Sequence, residues 1–231
     1  MINKIVADDI TKEKNLWDVY LLCRKISIST PHLCIMLSAT IFLFINAFFI
    51  ERNLVHLLSD IRNWSTVGFN FAVTTLGFLI AGFTIFATLS KPDMFLTMMA
   101  IPHKDTKMPT LKYNFMAFMK VFIAFIICTF IYLFIILFCQ TNGITGNIIK
   151  LLPNNDIIKS ISIKITYCIV GVSLIYLVLV VKTFIFNIYA IVMHSIRWEL
   201  YLKKKEAKQK GNNKVYSQKD AVNVSYKFYK H

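Results

Sequence analysis

Residues 63–90 read NWSTVGFNFAVTTLGFLIAGFTIFATLS, a run between Arg62 and Lys91 that contains no charged side chain. A stretch of roughly 20 apolar residues is long enough to cross the hydrocarbon core of a bilayer. The run therefore predicts a membrane-spanning helix. It also contains polar and small residues, and many of these recur at a spacing that places them on one side of that helix.

We define the polar stripe as Asn63, Thr66, Asn70, Thr74, Gly77, Ala81, Thr84 and Thr88. In a bilayer, small residues let helix backbones approach closely, and Asn and Thr side chains form hydrogen bonds between helices. The polar stripe therefore predicts a face that meets another helix or water. A weaker seam of small residues, Gly68, Ala72, Thr75 and Gly82, lies on roughly the opposite side of the helix.

Two interpretations of the polar stripe follow from the sequence. In the first, the stripe packs inside the four-helix bundle of its own chain. In the second, the stripe meets its copies around an oligomer axis, where neutral polar groups line a narrow, wettable pore. The two interpretations differ in whether the partner helix belongs to the same chain.

The composition of the whole chain supports a membrane protein. Its 231 residues are 56% hydrophobic and 16% charged, whereas soluble domains average about 25% charged residues. Four long apolar stretches account for the difference, and they predict spans at about 31–50, 64–89, 121–139 and 163–185. The predicted fold class is thus an all-α membrane protein with four transmembrane helices.

Three segments make up the predicted organisation. Residues 1–30 contain an amphipathic helix over 8–25, which Asp8 or Asp9 caps and which lies at the membrane interface. Residues 31–196 form the transmembrane domain, in which the loop before the second span carries a short helix of its own. Residues 197–231 form a basic tail. The fourth helix is predicted to extend into the cytoplasm, because no proline interrupts the sequence from Ile161 to Lys204.

Charge predicts the orientation and the partners. The net charge is +14, and most Lys and Arg residues fall in 1–30, in 91–120 and after 196. Positive charge collects on the cytoplasmic side of membrane proteins, so both termini are predicted to be cytoplasmic. We expect the tail lysines to bind anionic headgroups. Nucleic-acid binding is not expected, since aromatic residues are sparse there.

Two further surfaces are candidates for contact with lipid or with a protein partner. The lysines of the tail are Lys203, Lys204 and Lys205, and the Met-rich segment after the second span contains Met94, Phe95, Met98 and Met99. Methionine side chains adapt to irregular surfaces, so the segment suits either use. Lys182 is either a gate or anion site in a cavity, or a side chain that reaches the headgroups on its long stem.

Chemistry-bearing motifs are missing from the sequence. No Asp or Glu falls inside a predicted span, which disfavours proton-coupled and cation-coupled transporters. Paired intramembrane aspartates, a Ser–His dyad and an HExxH motif are also absent. We therefore expect no enzymatic activity, cofactor or metal, and we interpret the five cysteines as apolar packing residues.

The sequence accordingly predicts a non-enzymatic polytopic membrane protein that forms homo-oligomers through its second span and acts as a pore-like effector. The alternative is a membrane anchor or scaffold that recruits a cytosolic protein. This plan of four spans and a basic tail is similar to that of many small bacterial inner-membrane subunits. Some of those serve in stress or phage defence, where they permeabilise the membrane or anchor a partner.

Overall fold

The structure is a computed structural model. It describes residues 12–26, 30–51, 53–89, 95–96, 98–99, 101–103, 106–140, 143–146 and 155–228, without the side chains of 85–87, 89, 155, 205–206 and 208–228. In these ranges the longer elements are all helices, and one isolated bridge joins Pro102 and Pro109. The helices are α1 (Leu16–Cys23), α2 (Thr30–Ile45), α3 (Leu54–Leu89), α4 (Thr110–Phe138) and α5 (Asn155–Phe228).

Four helical stretches within the described residues are long and apolar enough to cross a membrane. They are Thr30–Ile50, Leu54–Thr84, Thr110–Phe138 and Asp156–Lys204. The first combines α2 with the π-helical turn Asn46–Ile50 that follows it. The prediction of four such helices in an all-α chain is therefore confirmed.

The predicted boundary of the second helix is wrong. The sequence predicted a separate short helix in the loop before residue 64, but α3 begins at Leu54 and continues through Asp60 and Arg62. Asn53 starts it, because its side-chain oxygen accepts a hydrogen bond from the backbone of Val55 at 3.0 Å. Charged residues mark the edge of an apolar run, but they do not end a helix as proline does.

The amphipathic helix is shorter than predicted in the part of the chain that the structure describes. It begins at Leu16, where the side chain of Asn15 accepts a hydrogen bond from the backbone of Asp18 at 2.8 Å. This is an ordinary N-cap arrangement for an Asn side chain. The predicted caps Asp8 and Asp9 lie outside the described residues.

The chain divides into two compact units, residues 1–187 and residues 188–231. In the first unit, α3 packs along α4, and a cluster of phenylalanines joins these helices to α5. The rings of Phe83, Phe115, Phe118, Phe122 and Phe184 meet edge to face, with centroids 5.4–6.4 Å apart. Edge-to-face pairs of this kind stabilise a core beyond their buried area.

The second unit, residues 188–231, is helical up to Phe228. Its described apolar side chains are mostly exposed, Tyr189, Met193 and Leu200 among them. The rings of Trp198 and Tyr201 stack with centroids 5.7 Å apart. An apolar helix is normally covered by lipid or by protein.

Candidate functional site

All eight residues of the polar stripe are exposed on the single chain. A Cβ atom added at Gly77 would meet nothing within 4 Å. The hydroxyls of Thr84 and Thr88 donate to backbone oxygens of their own helix, at 2.9 Å and 3.1 Å. The structure thus departs from the interpretation in which the polar stripe packs inside the chain's own bundle.

The opposite side of α3 is the one that is buried. Its buried residues are Leu57, Ile61, Ser65, Gly68, Ala72 and Leu79. A Cβ atom at Gly68 would lie 2.8 Å from the ring of Tyr132 and 2.9 Å from Leu174. The side of α3 that carries the weaker seam of small residues is therefore the side that packs within the chain. We call the six buried residues the buried seam.

Among the residues of the polar stripe, Asn70 has the greatest need for a hydrogen-bond partner. It lies well inside the apolar helix, is exposed, and forms no side-chain hydrogen bond within the described residues. Threonine hydroxyls can bond to their own helix, but an asparagine amide carries two donor hydrogens and an acceptor oxygen. In hydrocarbon such a group requires a partner.

The polar stripe has a seven-residue repeat that continues beyond the apolar run. His56, Asn63, Asn70, Gly77 and Thr84 follow one another at intervals of seven residues, and all five are exposed. Residues seven apart drift by only about 20° around an α-helix. A seam with this repeat allows copies of a helix to remain in contact along its length, with equivalent residues at the same level in a parallel arrangement.

Charged groups meet at the N-terminal end of α3. Nδ1 of His56 lies 3.8 Å from Oε2 of Glu51, and Oε1 of Glu51 accepts a hydrogen bond from the backbone of Asn53 at 2.8 Å. Nearby in sequence, Nε of Arg62 donates to the backbone oxygen of Cys139 at 3.0 Å. Arg62 thereby caps the C-terminal end of α4, where helix carbonyls lack backbone partners.

The segment that contains α1 is fixed to α4 by three polar contacts. Nζ of Lys112 lies 2.8 Å from Oε1 of Glu13, in a pair whose side chains are 9% and 14% exposed. Sγ of Cys23 donates to the backbone oxygen of Met116 at 3.2 Å, and Nζ of Lys120 donates to that of Ile26 at 2.7 Å. The three α4 residues are four apart, so the segment follows one stripe of α4.

The reactivity of the Cys23 thiol indicates whether the segment that contains α1 is packed against α4. Burial raises the pKa of its thiol to about 11, although the Lys120 ammonium opposes the shift. In a protein whose other cysteines are replaced, we expect slow maleimide labelling of Cys23 at pH 8, because the thiolate is the reactive form. The rate should rise towards pH 11.

The Glu13→Gln variant should label at least about tenfold faster, since breaking one partner of a buried pair costs about 3–5 kcal/mol. Lys12→Gln, which changes an exposed neighbouring charge, is the matched control and should label like the wild type. The measurement is the time course of mass increase in detergent. Equal rates for Glu13→Gln and the wild type would contradict the role of this pair in seating the segment.

The other predicted surface residues are placed as follows. Lys182 is exposed on α5, and no ion pair or hydrogen bond of its side chain is found within the described residues. Phe95 contacts Phe115 at 6.2 Å between ring centroids, and Met98 and Met99 are half-buried. Lys203 and Lys204 are exposed. Met94 and the side chain of Lys205 lie outside the described residues.

Sequence reasoning missed a polar contact that joins the π-helical turn after α2 to α5. Nδ2 of Asn46 donates to the hydroxyl of Tyr167 at 2.8 Å, and the Tyr167 ring lies 4.7 Å from that of Trp64 on α3. The available signal was Asn46, the single asparagine of the predicted first span. Asn46 thus has a hydrogen-bond partner in its own chain, whereas Asn70 has none within the described residues.

The described part of the chain contains no ready-made metal site. Within the described residues, no group of three or more His, Cys, Asp or Glu side chains is placed to hold a metal ion. The described half-buried carboxylate on α3, Asp60, lies near the helix start rather than in its middle.

No family model matches the chain, and comparisons with curated proteins and with solved structures found no match.

Proposed function

We propose that this protein is a non-enzymatic membrane protein that self-associates through the polar stripe of α3 and forms a pore-like path. The observation that carries the proposal is the exposure of all eight stripe residues on the single chain. Because α3 already uses its buried seam against α4 and α5, the polar stripe remains available for another chain. A second copy supplies matching residues along the whole seven-residue repeat.

The chemistry of the polar stripe suits a narrow water-filled path. Its members are neutral, and the Thr84 hydroxyl keeps acceptor lone pairs for water after it donates to its own helix. Neutral polar groups around an axis can wet a constriction without holding an ion tightly. We further propose that the chain lies in a bacterial inner membrane with both termini in the cytoplasm, as the charge distribution predicts.

A flux assay with matched threonine variants tests the proposal. Thr84 and Thr40 are both exposed threonines whose hydroxyls donate to the carbonyl four residues earlier, but only Thr84 belongs to the polar stripe. In liposomes that contain purified protein and an entrapped ion-sensitive dye, Thr84→Leu should reduce flux at least about tenfold, because an apolar constriction dewets. Thr88→Leu should act in the same direction, and Thr40→Leu should not.

Two results of this assay would contradict the proposal. One is a wild-type protein that conducts under none of the activating conditions tested. The other is equal flux for wild type and Thr84→Leu at matched protein density. Measuring the reconstituted density by quantitative immunoblot separates a conductance effect from an expression effect.

The rival proposal is a membrane anchor that passes no ions. It is supported by the outer side of α1, where Leu16, Trp17 and Leu21 are 51%, 65% and 45% exposed. The inner side of the same helix is fixed to α4. In the anchor, α1 presents these exposed side chains to a cytosolic protein while it remains packed against α4. Pulldowns in which Trp17→Ala removes a specific partner, with no flux from the wild type, would favour the anchor.

A further inference from the structure

The N-terminal end of the polar stripe carries a group that the proposed pore leaves unexplained. His56 occupies the same seven-residue position as Asn63 and Asn70, and its side chain is 67% exposed. At a rise of 1.5 Å per residue, it lies about 10 Å beyond Asn63 and about 20 Å beyond Asn70 along the helix. His56 is therefore the residue of the repeat nearest to the helix end.

A carboxylate lies near the His56 ring, as it does near many histidines that ligate a metal. In protein metal sites, one imidazole nitrogen binds the ion while the other faces a carboxylate that orients the ring. Here Nδ1 of His56 lies 3.8 Å from Oε2 of Glu51, which is near the carboxylate but too long for a hydrogen bond. Nε2 of His56 forms no hydrogen bond within the described residues. The Glu51 carboxylate is itself fixed by the backbone of Asn53 at 2.8 Å.

One chain alone supplies too few ligands. Zinc requires about four ligands in a tetrahedral arrangement, at about 2.0–2.1 Å for histidine nitrogen. In the described residues a single chain offers the His56–Glu51 pair but no group of three. In a parallel association through the polar stripe, each copy brings its own His56 to the same level of the axis. Two to four imidazoles then face one point.

We propose that the His56 imidazoles of associated copies form a shared site for a borderline divalent cation, of which Zn²⁺ is the probe. The inference rests on the proposed self-association. Nε2 of each His56 is the ligand, and Glu51, 3.8 Å from Nδ1 in the single chain, is the positioning residue that accepts a hydrogen bond from Nδ1 when the ion is bound. Because the site lies on the axis at one end of the proposed path, the bound ion blocks that path.

The experiment uses untagged full-length protein in detergent, with Zn²⁺ binding followed by competition with a chromogenic chelator. Wild type should bind about one ion per two to four chains. His56→Ala should weaken binding about 100-fold or more, and Glu51→Gln about 10–100-fold. His194→Ala removes an exposed histidine that lies outside the polar stripe, and it should bind Zn²⁺ like the wild type.

Oligomer mass, measured on the same samples without Zn²⁺, separates this inference from the proposed function. An associated wild type whose Zn²⁺ binding is unchanged by His56→Ala would overturn the shared site and leave self-association standing. A monomeric wild type would overturn both. One ion per monomer, lost in His56→Ala, would also overturn the shared site. In liposomes, micromolar Zn²⁺ should block flux of wild type and not of His56→Ala.

Discussion

Replacement of Asn70 by leucine is expected to weaken the proposed self-association and to reduce the flux that depends on it. Asn70 is exposed within the apolar part of α3 and has no side-chain hydrogen bond within the described residues. An amide hydrogen bond between membrane helices contributes about 0.6–2 kcal/mol, and every copy in a ring contributes one. Leucine removes this contribution and gives lipid an acceptable surface. The dissociation constant should therefore rise about 3- to 30-fold for each shared contact.

Asn46→Leu is the matched control for this prediction. Asn46 bonds to Tyr167 within its own chain, so its loss should weaken the fold by about 1 kcal/mol and leave association unchanged. Sedimentation equilibrium in detergent at several protein-to-detergent ratios measures both effects on association. If Asn70→Leu associates as strongly as the wild type, the polar stripe is not the surface through which copies meet.

The second large effect is a difference in sign between two glycine substitutions in α3. Alanine has a higher helix propensity than glycine by about 1 kcal/mol, so Gly77→Ala should stabilise the fold, since nothing lies within 4 Å of its added Cβ. Gly68→Ala should instead destabilise it by about 1–3 kcal/mol, because the new Cβ would lie 2.8 Å from the Tyr132 ring. The hydroxyl of Tyr132 also bonds to Ser173, which hinders the ring from moving aside.

The free energy of unfolding of the two glycine variants can be compared by SDS titration of monomeric protein in mixed micelles. Both variants replace glycine by alanine in the same helix, so the gain in helix propensity is the same for both and cancels in the comparison. Two variants that are destabilised equally would show that the packing of α3 is not one-sided. Gly77→Ala should also be tested for association, since Gly77 belongs to the polar stripe.

Which helices form could be predicted from apolar length, but which face each helix buries could not. The charge-free run identified α3 because transfer of charge into lipid is costly wherever the neighbours lie. Whether the polar stripe or the buried seam meets α4 depends on a side chain distant in sequence. Tyr132 needs the space above Gly68, and nothing in the 63–90 segment records that need.

The residues at the ends of the helices were also hard to predict. His56, Glu51 and Arg62 precede the apolar run, so a search for polar groups within spans passes over them. Their roles come from helix ends, where Asn53 starts α3 and Arg62 caps α4. Helix boundaries depend on hydrogen-bond partners rather than on hydropathy.

The contacts that seat α1 on α4 change how the positive charge of this chain should be counted. Lys112 is neutralised by Glu13, and the Lys120 ammonium is held by the carbonyl of Ile26. Neither is fully free to attract anionic headgroups, although both count as positive residues in any topology rule based on sequence. Lys12, Lys14, Arg24 and Lys25 on the α1 segment are exposed, and their side chains form no ion pair or hydrogen bond within the described residues. With α1 packed against α4, the lipid-attracting charge of this face is therefore carried by the beginning of the chain rather than by the N-terminal part of α4.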